Sequence, residues 1–498
     1  MAFTLYRFVQ TRWTSSVNRI STAWRIITRA RHDKVPAQQD RGERGRESID
    51  SIEDVTWPFT DEQREVMVQK FFDSIDQDAV CALASRHNGH KSCQIDVWDK
   101  GSFNICFIVK FNTDNTKWVV RIPIGPVVHN AWDKLESEVI TMRYIKTNTN
   151  IPLPTIHEYG QDRTLTKTSS ATPFLILDYI PGKSLDIKAL LEATLEQRKG
   201  FFAELIEVLA HLRRLEFSEA GSLVPDPHGG PNPVVGKLFS IPINELQTMH
   251  RRKQYTLPAS VSATEFVGHR YDVISTIYNL PQKNQSQNEA MLELFALDSL
   301  RKLISNFIDK QCDNGPFILS HLDLGYGNII VDNDFHIQGI IDWEWAGHNP
   351  DLWNIQNEFF SEFYDVLQEK SQTSDCCNQL VEDWDSHQKL TLPIAQILHH
   401  PSHLARIYYR AIYPTLFDCS YQDTVSEFYE NNAWFSSQVE GLVDHSDRFT
   451  QYLKNSGLYS VKERDPQVDK KIKEQNQEID ELLKELSLLG LEEKHALL

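Results

Sequence analysis

The chain has 498 residues, too many for one simple core and enough for a two-lobed catalytic unit with added segments at its ends. Its 51 Lys plus Arg against 69 Asp plus Glu leave a formal charge of -18, which argues against the basic face that nucleic acids require. Seven cysteines without a CxxC pair form neither a disulfide framework nor a zinc pattern and suit a reducing compartment, and no apolar run of about 18 residues is available to span a membrane.

The charge is unevenly spread. The first 32 residues contain no acid but carry Arg7, Arg12, Arg19, Arg25, Arg29 and Arg31, and Tyr6, Val9, Trp13, Val17, Ile20, Trp24 and Ile27 recur at helical spacing. Such an Arg-rich, Ser-containing amphipathic stretch resembles a presequence, so the expected location is mitochondrial, or cytoplasmic if the stretch is a plain basic tail. Residues 1–55 are therefore read as a basic extension, ending in an aperiodic polar linker.

Folding is expected to begin near Trp57. Thr60, Asp61 and Glu62 start an N-capped helix through Val66, Met67, Phe71, Phe72 and Ile75. Val97–Asp99, Asn104–Phe111 and Trp118–Pro123 read as an antiparallel meander, with Phe111 opposite Trp118 if the hairpin is tight. A helix from about Trp132 to Lys146 and a strand from Phe174 to Tyr179 complete a first lobe, residues 56–178. Past the break at Pro181-Gly182 the pattern becomes helical, with Leu205, Leu209, Leu212 and Leu215 on one stripe, and residues 179–460 form a second lobe. Within it, 218–290 is rich in Pro, Gly, Ser and Asn and reads as an irregular insertion. Residues 461–498 are highly charged, with Ile472, Ile479, Leu482, Leu486 and Leu489 near heptad spacing, and are expected to form an appended helix able to dock or to meet a partner.

The most informative segment runs Ser320-His321-Leu322-Asp323-Leu324-Gly325-Tyr326-Gly327-Asn328 and continues as a hairpin through Ile329-Ile330-Val331 and Ile337 to Trp343. Phosphoryl transfer needs a carboxylate to orient or deprotonate the acceptor hydroxyl and oxygen ligands to hold magnesium across the phosphates. Asp323, Asn328 and Asp342 have those chemistries. The His-x-Asp-x-x-x-x-Asn spacing sets the first two at the ends of one tight loop, and the hairpin returns Asp342 to the same side.

This segment resembles the Brenner motif and metal-binding aspartate of the aminoglycoside phosphotransferase family, which includes choline and homoserine kinase relatives. The resemblance implies a protein-kinase-like α+β fold of two lobes, with a small antiparallel sheet and a helix in the first and a larger, mainly helical second. It also implies an ATP- and Mg2+-dependent enzyme that phosphorylates a hydroxyl of a small molecule. Asp323 would be the catalytic base, Asn328 and Asp342 the magnesium ligands, and His321 a brace of the catalytic loop. Ile341-Asp342-Trp343-Glu344 stands where protein kinases carry Asp-Phe-Gly. Gly101, Ser102, Phe103 and Asn104 resemble the family's short turn over the phosphates, and Glu138 its helix glutamate. Phe174 to Tyr179, including Leu177, resembles the linker whose backbone holds adenine. The family's strand lysine is replaced by Arg121, which keeps the charge but not the geometry. The alternative reading is a catalytically weak pseudokinase or nucleotide-binding regulatory module.

Other groups carry less weight. Glu344 alternates with Asp342 and either supports metal or faces solvent, Asp351 caps a helix or braces the loop, and Lys110 is a distant substitute for Arg121. His399, His400 and His403 are read as packing or surface residues, because Pro401 breaks the helix that would align them. Trp353, Phe359, Phe360, Phe363, Tyr364, Tyr408 and Tyr409 read as helical core, and Glu358, Glu362 and Asp365 as solvated charges on a helix face.

Overall fold

The computed structural model describes residues 57–249, 255–308, 313–348, 357–385 and 390–460. The basic N-terminal stretch, Asp351, Trp353 and the charged tail from 461 lie outside them.

Helix α1, Asp61–Ser74, begins at a capping box in which Gln63 N–H donates to the Thr60 hydroxyl at 3.2 Å and the Gln63 side chain accepts from Thr60 N–H at 2.9 Å. Helix α2, Gln77–His87, is capped by the Asp76 carboxylate and was not anticipated. The strands β1 (Cys93–Lys100), β2 (Asn104–Phe111) and β3 (Lys117–Pro123) follow, then helix α3 (Ala131–Asn148) and strands β4 (Ile156–Asp162) and β5 (Thr172–Asp178). They make one five-stranded antiparallel sheet ordered β1-β2-β3-β5-β4. Strand β1 is longer than expected and β4 is an addition; both are edge strands whose polar residues hide the alternation that marks central strands.

The β2–β3 register differs from the expected one by two residues, with Val109 opposite Trp118 and Lys110 opposite Lys117. The turn absorbs the difference, as Asn115 takes a positive φ and Phe111 N–H donates to Thr116 O. A two-residue shift leaves every side chain on its face. Ile105, Phe107, Val109, Phe111, Val120, Ile122, Phe174 and Ile176 pack with Val80, Leu83 and Ala84 of α2. Leu175, Leu177 and Val119 point the other way, toward Leu135, Val139 and Met142 of α3. Arg121 has the parity of Val119, so period-two geometry aims it at α3.

The chain enters the second lobe through Ile180-Pro181-Gly182. Gly182 has φ +140°, and a Cβ there would lie 2.7 Å from the Val331 carbonyl oxygen, so a side chain would collide with the strand that carries Val331. Strand β6 (Lys183–Ser184) and helices α4 (Ile187–Glu192) and α5 (Leu195–Arg213) come next, then β7 (Glu216–Phe217). The segment read as an irregular insertion contains a hairpin, β8 (Ser222–Val224) with β9 (Val234–Gly236), and helices α6 (Ile241–Met249) and α7 (Ala263–Tyr278). Most of its Pro and Gly residues lie in the connections, with Pro242 in the first turn of α6 and Gly268 within α7, while Phe266, Val267, Val273 and Ile274 supply a helical stripe within α7. Helix α8 (Gln287–Phe307) precedes the strands β10 (Phe317–His321), β11 (Ile329–Val331), β12 (Ile337–Ile340) and β13 (Ala346–His348). Helices α9 (Asn357–Ser371), α10 (Asp375–Asp385) and α11 (Thr391–His399), an irregular helical stretch over 404–416, α12 (Tyr421–Asn431) and α13 (Ala433–Asn455) close the lobe. Phe363, Tyr408 and Tyr409 pack in or against this core as expected. Among the described residues no helix is long and apolar enough to cross a membrane.

Helix α11 stops at His399, before Pro401, and His399, His400 and His403 form a chain of ring contacts with centroids 4.5 and 5.4 Å apart. Burial, together with Arg270 and Arg406, pushes His400 down to about 4, and burial with the neighbouring cations also lowers His399 and His403. A group held neutral in the fold but with an ordinary value near 6.5 when unfolded stabilises above that value, and the contribution is lost as pH falls through it. Calorimetric unfolding is therefore expected to lose roughly 1–2 kcal/mol per imidazole between pH 7 and pH 5. A His403→Gln variant should show a shallower acid limb; an unaltered profile would contradict this account.

Candidate active site

The loop from His321 to Asn328 is built from local hydrogen bonds. Leu324 N–H donates to His321 O at 3.2 Å, Gly325 N–H to Asp323 O at 2.8 Å and Asn328 N–H to Gly325 O at 2.9 Å. The Asn328 Nδ2 donates to the Asp323 carbonyl at 2.7 Å, which leaves its Oδ1 for another partner. His321 is buried, its Nε2 donating to Ile341 O at 2.9 Å while its Nδ1 accepts from Asp323 N–H at 3.3 Å. That requires a neutral ring, and burial pushes His321 down to about 4. The imidazole is thus a brace between loop and hairpin. Ile341 N–H donates to Asn328 O at 2.9 Å, bringing Asp342 beside Asn328.

Strand β12 ends at Ile340, and Trp343–Trp345 form a 3-10 turn instead of the expected continuing strand. Asp342 adopts left-handed backbone angles, φ 66° and ψ 54°, unusual for a residue with a side chain. Its carboxylate accepts from Arg121 Nη1 at 3.3 Å, and Arg121 Nη2 also binds the Glu138 carboxylate. Arg121 therefore spans two acids on different elements, a task suited to a planar fork and poorly suited to an ammonium. Lys110 lies four residues along β2 from Cys106, the partner of Arg121, or about 13 Å away, and cannot take this place.

Glu344 differs from the solvated alternative considered for it: it is 4% exposed, and its Oε2 accepts from Asn104 Nδ2 at 2.8 Å and from Lys134 Nζ. Lys134, 3% exposed on the first turn of α3, was missed. The only sequence signal was its placement four residues before Glu138, which sets both on one helix face. Its ammonium sits over the Trp345 ring at 4.1 Å and the Phe103 ring at 5.4 Å.

Four acids, Glu138, Asp323, Asp342 and Glu344, thus gather around two cations, Arg121 and Lys134. Burial and the Glu344 charge push Asp323 up to about 7 and raise Asp342 well above the carboxylate range, although Arg121 opposes the second shift. Burial raises Glu138 against the pull of Arg121. Burial pushes the same way at Glu344, but Lys134 and then Arg121 outweigh it and hold that carboxyl ionised. The surplus of acid, the uncommitted Asn328 Oδ1 and the partly exposed Asp342 form a donor set that fits a hard divalent cation, which needs few protein oxygens when phosphates supply the rest. Among the described residues no group of three or more His, Cys, Asp or Glu is arranged to hold a metal by itself.

Of the remaining expected residues, Gly101 forms a tight turn, its N–H donating to Asn104 O at 2.8 Å, with Ser102 at the apex. Leu177 lies inside the sheet opposite Val119 and Ile156, and Tyr179 N–H donates to Lys117 O at 3.3 Å. Leu177 is two residues along β5 from Leu175, the partner of Arg121, and Tyr179 follows the end of that strand. Glu362 is committed to a two-pronged pair with Arg198 at 2.7 Å from each donor, so it is not a free amine-binding carboxylate.

Residues 108–388, more than half of the chain, match the model of the phosphotransferase enzyme family. The chain is similar to the clavilactone A biosynthesis cluster protein Y of Ampulloclitocybe clavipes, at 24% identity over 234 residues that cover 45% of this chain and 52% of that one. It is also similar to the Arabidopsis thaliana protein named "Probable choline kinase 3", at 38% identity over 78 residues, 16% of this chain and 22% of that one. The match thus spans about half of one curated relative and about a fifth of the other. Among solved structures, the ethanolamine kinase of Plasmodium vivax is similar with 15% identity and a TM-score of 0.35, covering 72% of this chain and 82% of that one. With the 321–328 loop, Asp342 after the hairpin and the arginine-paired Glu138 inside the matched span, the chain belongs to the phosphotransferase enzyme family.

Proposed function

We propose that this protein transfers the terminal phosphoryl group of ATP, with Mg2+, to a hydroxyl of a small molecule. The observation that carries this reading is the convergence of Asp323, Asn328 and Asp342 on one hydrogen-bonded loop and hairpin, above the Arg121–Glu138 pair. Asp323 accepts the proton of the acceptor hydroxyl, and a carboxyl raised by burial toward neutrality is suited to that task. Asn328 Oδ1 and the Asp342 carboxylate hold magnesium, which when bound neutralises charge across the phosphates. Arg121 aligns Asp342 with Glu138, His321 fixes the loop, and the backbone turn at Gly101 and Ser102 lies over the phosphates. The linker around Leu177 and Tyr179 is the place for the base.

Mg-ATP turnover on a panel of hydroxyl-bearing metabolites tests the proposal. Asp323→Asn is expected to lower kcat by about 10²–10⁴-fold while changing Mg-ATP affinity little; undiminished turnover would remove Asp323 from its role. Binding of Mg-ATP with no turnover on any acceptor would instead favour the regulatory-module alternative.

Arg121→Lys, which restores the residue usual in the family, is expected to impair the enzyme, because one ammonium cannot bridge both Glu138 and Asp342 as the guanidinium does. We expect its KM for Mg-ATP to rise about tenfold; a KM equal to that of the parent would show that the fork geometry is dispensable.

The acid-free, Arg-rich first 32 residues support a mitochondrial location. Imaging the full chain beside a form beginning at residue 56 is expected to show mitochondrial signal for the first alone, and equal distributions would reject the targeting role.

A further inference from the structure

We propose that Lys134 is a positioning residue for nucleotide binding, which acts through Glu344 to latch the turn over the phosphates to the segment that carries Asp342. This inference rests on the nucleotide-dependent reading above and adds to it a residue that the strand–helix ion pair does not include.

Three stretches of chain meet at the Glu344 carboxylate. Asn104, which closes the Gly101 turn, donates to it across 240 residues of sequence, and Lys134 reaches it across 210. Phe103, the residue before Asn104, and Trp345, the residue after Glu344, pack edge to face with ring centroids 5.0 Å apart. The Lys134 ammonium lies over both rings. Turn and metal-binding segment are therefore joined twice, by a shared acid and by an aromatic pair, and one lysine contributes to both joints.

A merely structural contact at this place would be better made from apolar residues, as it is along the adjoining face of α3 by Leu135, Val139 and Met142. A buried ion pair is commonly no more stabilising than well-packed hydrophobic residues of the same volume, because both charges must leave water. Such a pair does, however, restrict geometry, since an ammonium and a carboxylate with few alternative partners tolerate little displacement. The geometry held here is the one that nucleotide binding requires. Asp342 is two residues from Glu344 and sits in a left-handed conformation, and the backbone of the Gly101 turn must lie at a fixed distance from it if both are to contact one chain of phosphates. Arg121 grips Asp342 from β3, and Lys134 grips Glu344 from the next turn of the same helix that holds Glu138. Helix α3 thus contributes two charged residues from one face, Lys134 bound to Glu344 directly and Glu138 linked to Asp342 through Arg121.

The test is calorimetric titration of the full chain with Mg-ATP, with the unfolding temperature measured on each sample. Lys134→Met alone leaves Glu344 buried without its cation and risks unfolding, so the neutral pair Lys134→Met/Glu344→Gln is measured beside it, together with the charge-preserving Lys134→Arg. The expected result is a loss of Mg-ATP affinity of about tenfold or more in the neutral pair at a nearly unchanged unfolding temperature, with Lys134→Arg retaining more affinity than Lys134→Met. Parent-like Mg-ATP affinity in the neutral pair would overturn the proposal and leave the pair as packing. A fall in unfolding temperature with unchanged affinity in Lys134→Arg and Lys134→Met would overturn it too. Absence of Mg-ATP binding by the parent chain would reject the nucleotide-dependent reading itself, a result distinct from equal binding by parent and variants.

Discussion

The guanidinium of Arg121, buried between Glu138 on α3 and Asp342 after β12, is the contact on which the geometry of the site depends. Charges this far from water are tolerated only when paired, so β3, α3 and the hairpin must approach each other in one way. Each of those elements is set by something more general. The side-chain alternation of β3 sends Val120 and Ile122 into the α2 face of the sheet and leaves Arg121 on the other. The helical period then places Glu138 on the face of α3 opposite it, next to the apolar stripe of Leu135, Val139 and Met142 that seats the helix.

Around this pair the molecule separates wholly buried charged groups from more accessible ones. Lys134, Glu138, Arg121 and Glu344 are almost wholly buried, whereas Asp323, Asn328 and Asp342 retain access to solvent. The buried groups are paired with one another, and their charges act on the accessible ones. Burial first, and then the charge of Glu344, explains why Asp323 and Asp342 hold protons more tightly than ordinary carboxyls, in a field left unbalanced by four acids against two cations. A divalent cation beside Asn328 and Asp342 would correct it.

The loop from His321 to Asn328 was legible because it is local. His321, Asp323 and Asn328 are tied by hydrogen bonds spanning two to five residues, so the spacing of the residue types carries the shape. Central strands and the long helix α3 were legible for a similar reason, each having a periodic apolar pattern of its own. Edge strand β4, Ile-His-Glu-Tyr-Gly-Gln-Asp, has almost no such pattern, since it pairs with β5 alone and its polar residues meet charged and aromatic partners such as Arg86, His87 and Trp132. Helices α6 and α7 were obscured by the Pro, Gly and Ser residues of their connections, although the stripe of Phe266, Val267, Val273 and Ile274 was present to be read.

By itself the sequence determined the order of the lobes, the composition of the catalytic loop and the presence of arginine where the family carries lysine. Only the tertiary structure decided what that arginine does, which carboxylate Lys134 meets and that Glu344 faces inward. The physical reason is distance along the chain: these pairs join residues separated by 17 to 240 positions, and their partners depend on how the sheet, α3 and the 3-10 turn after Asp342 are rotated against each other. Periodicity fixes which face a residue occupies, but packing of one element on another fixes what that face meets.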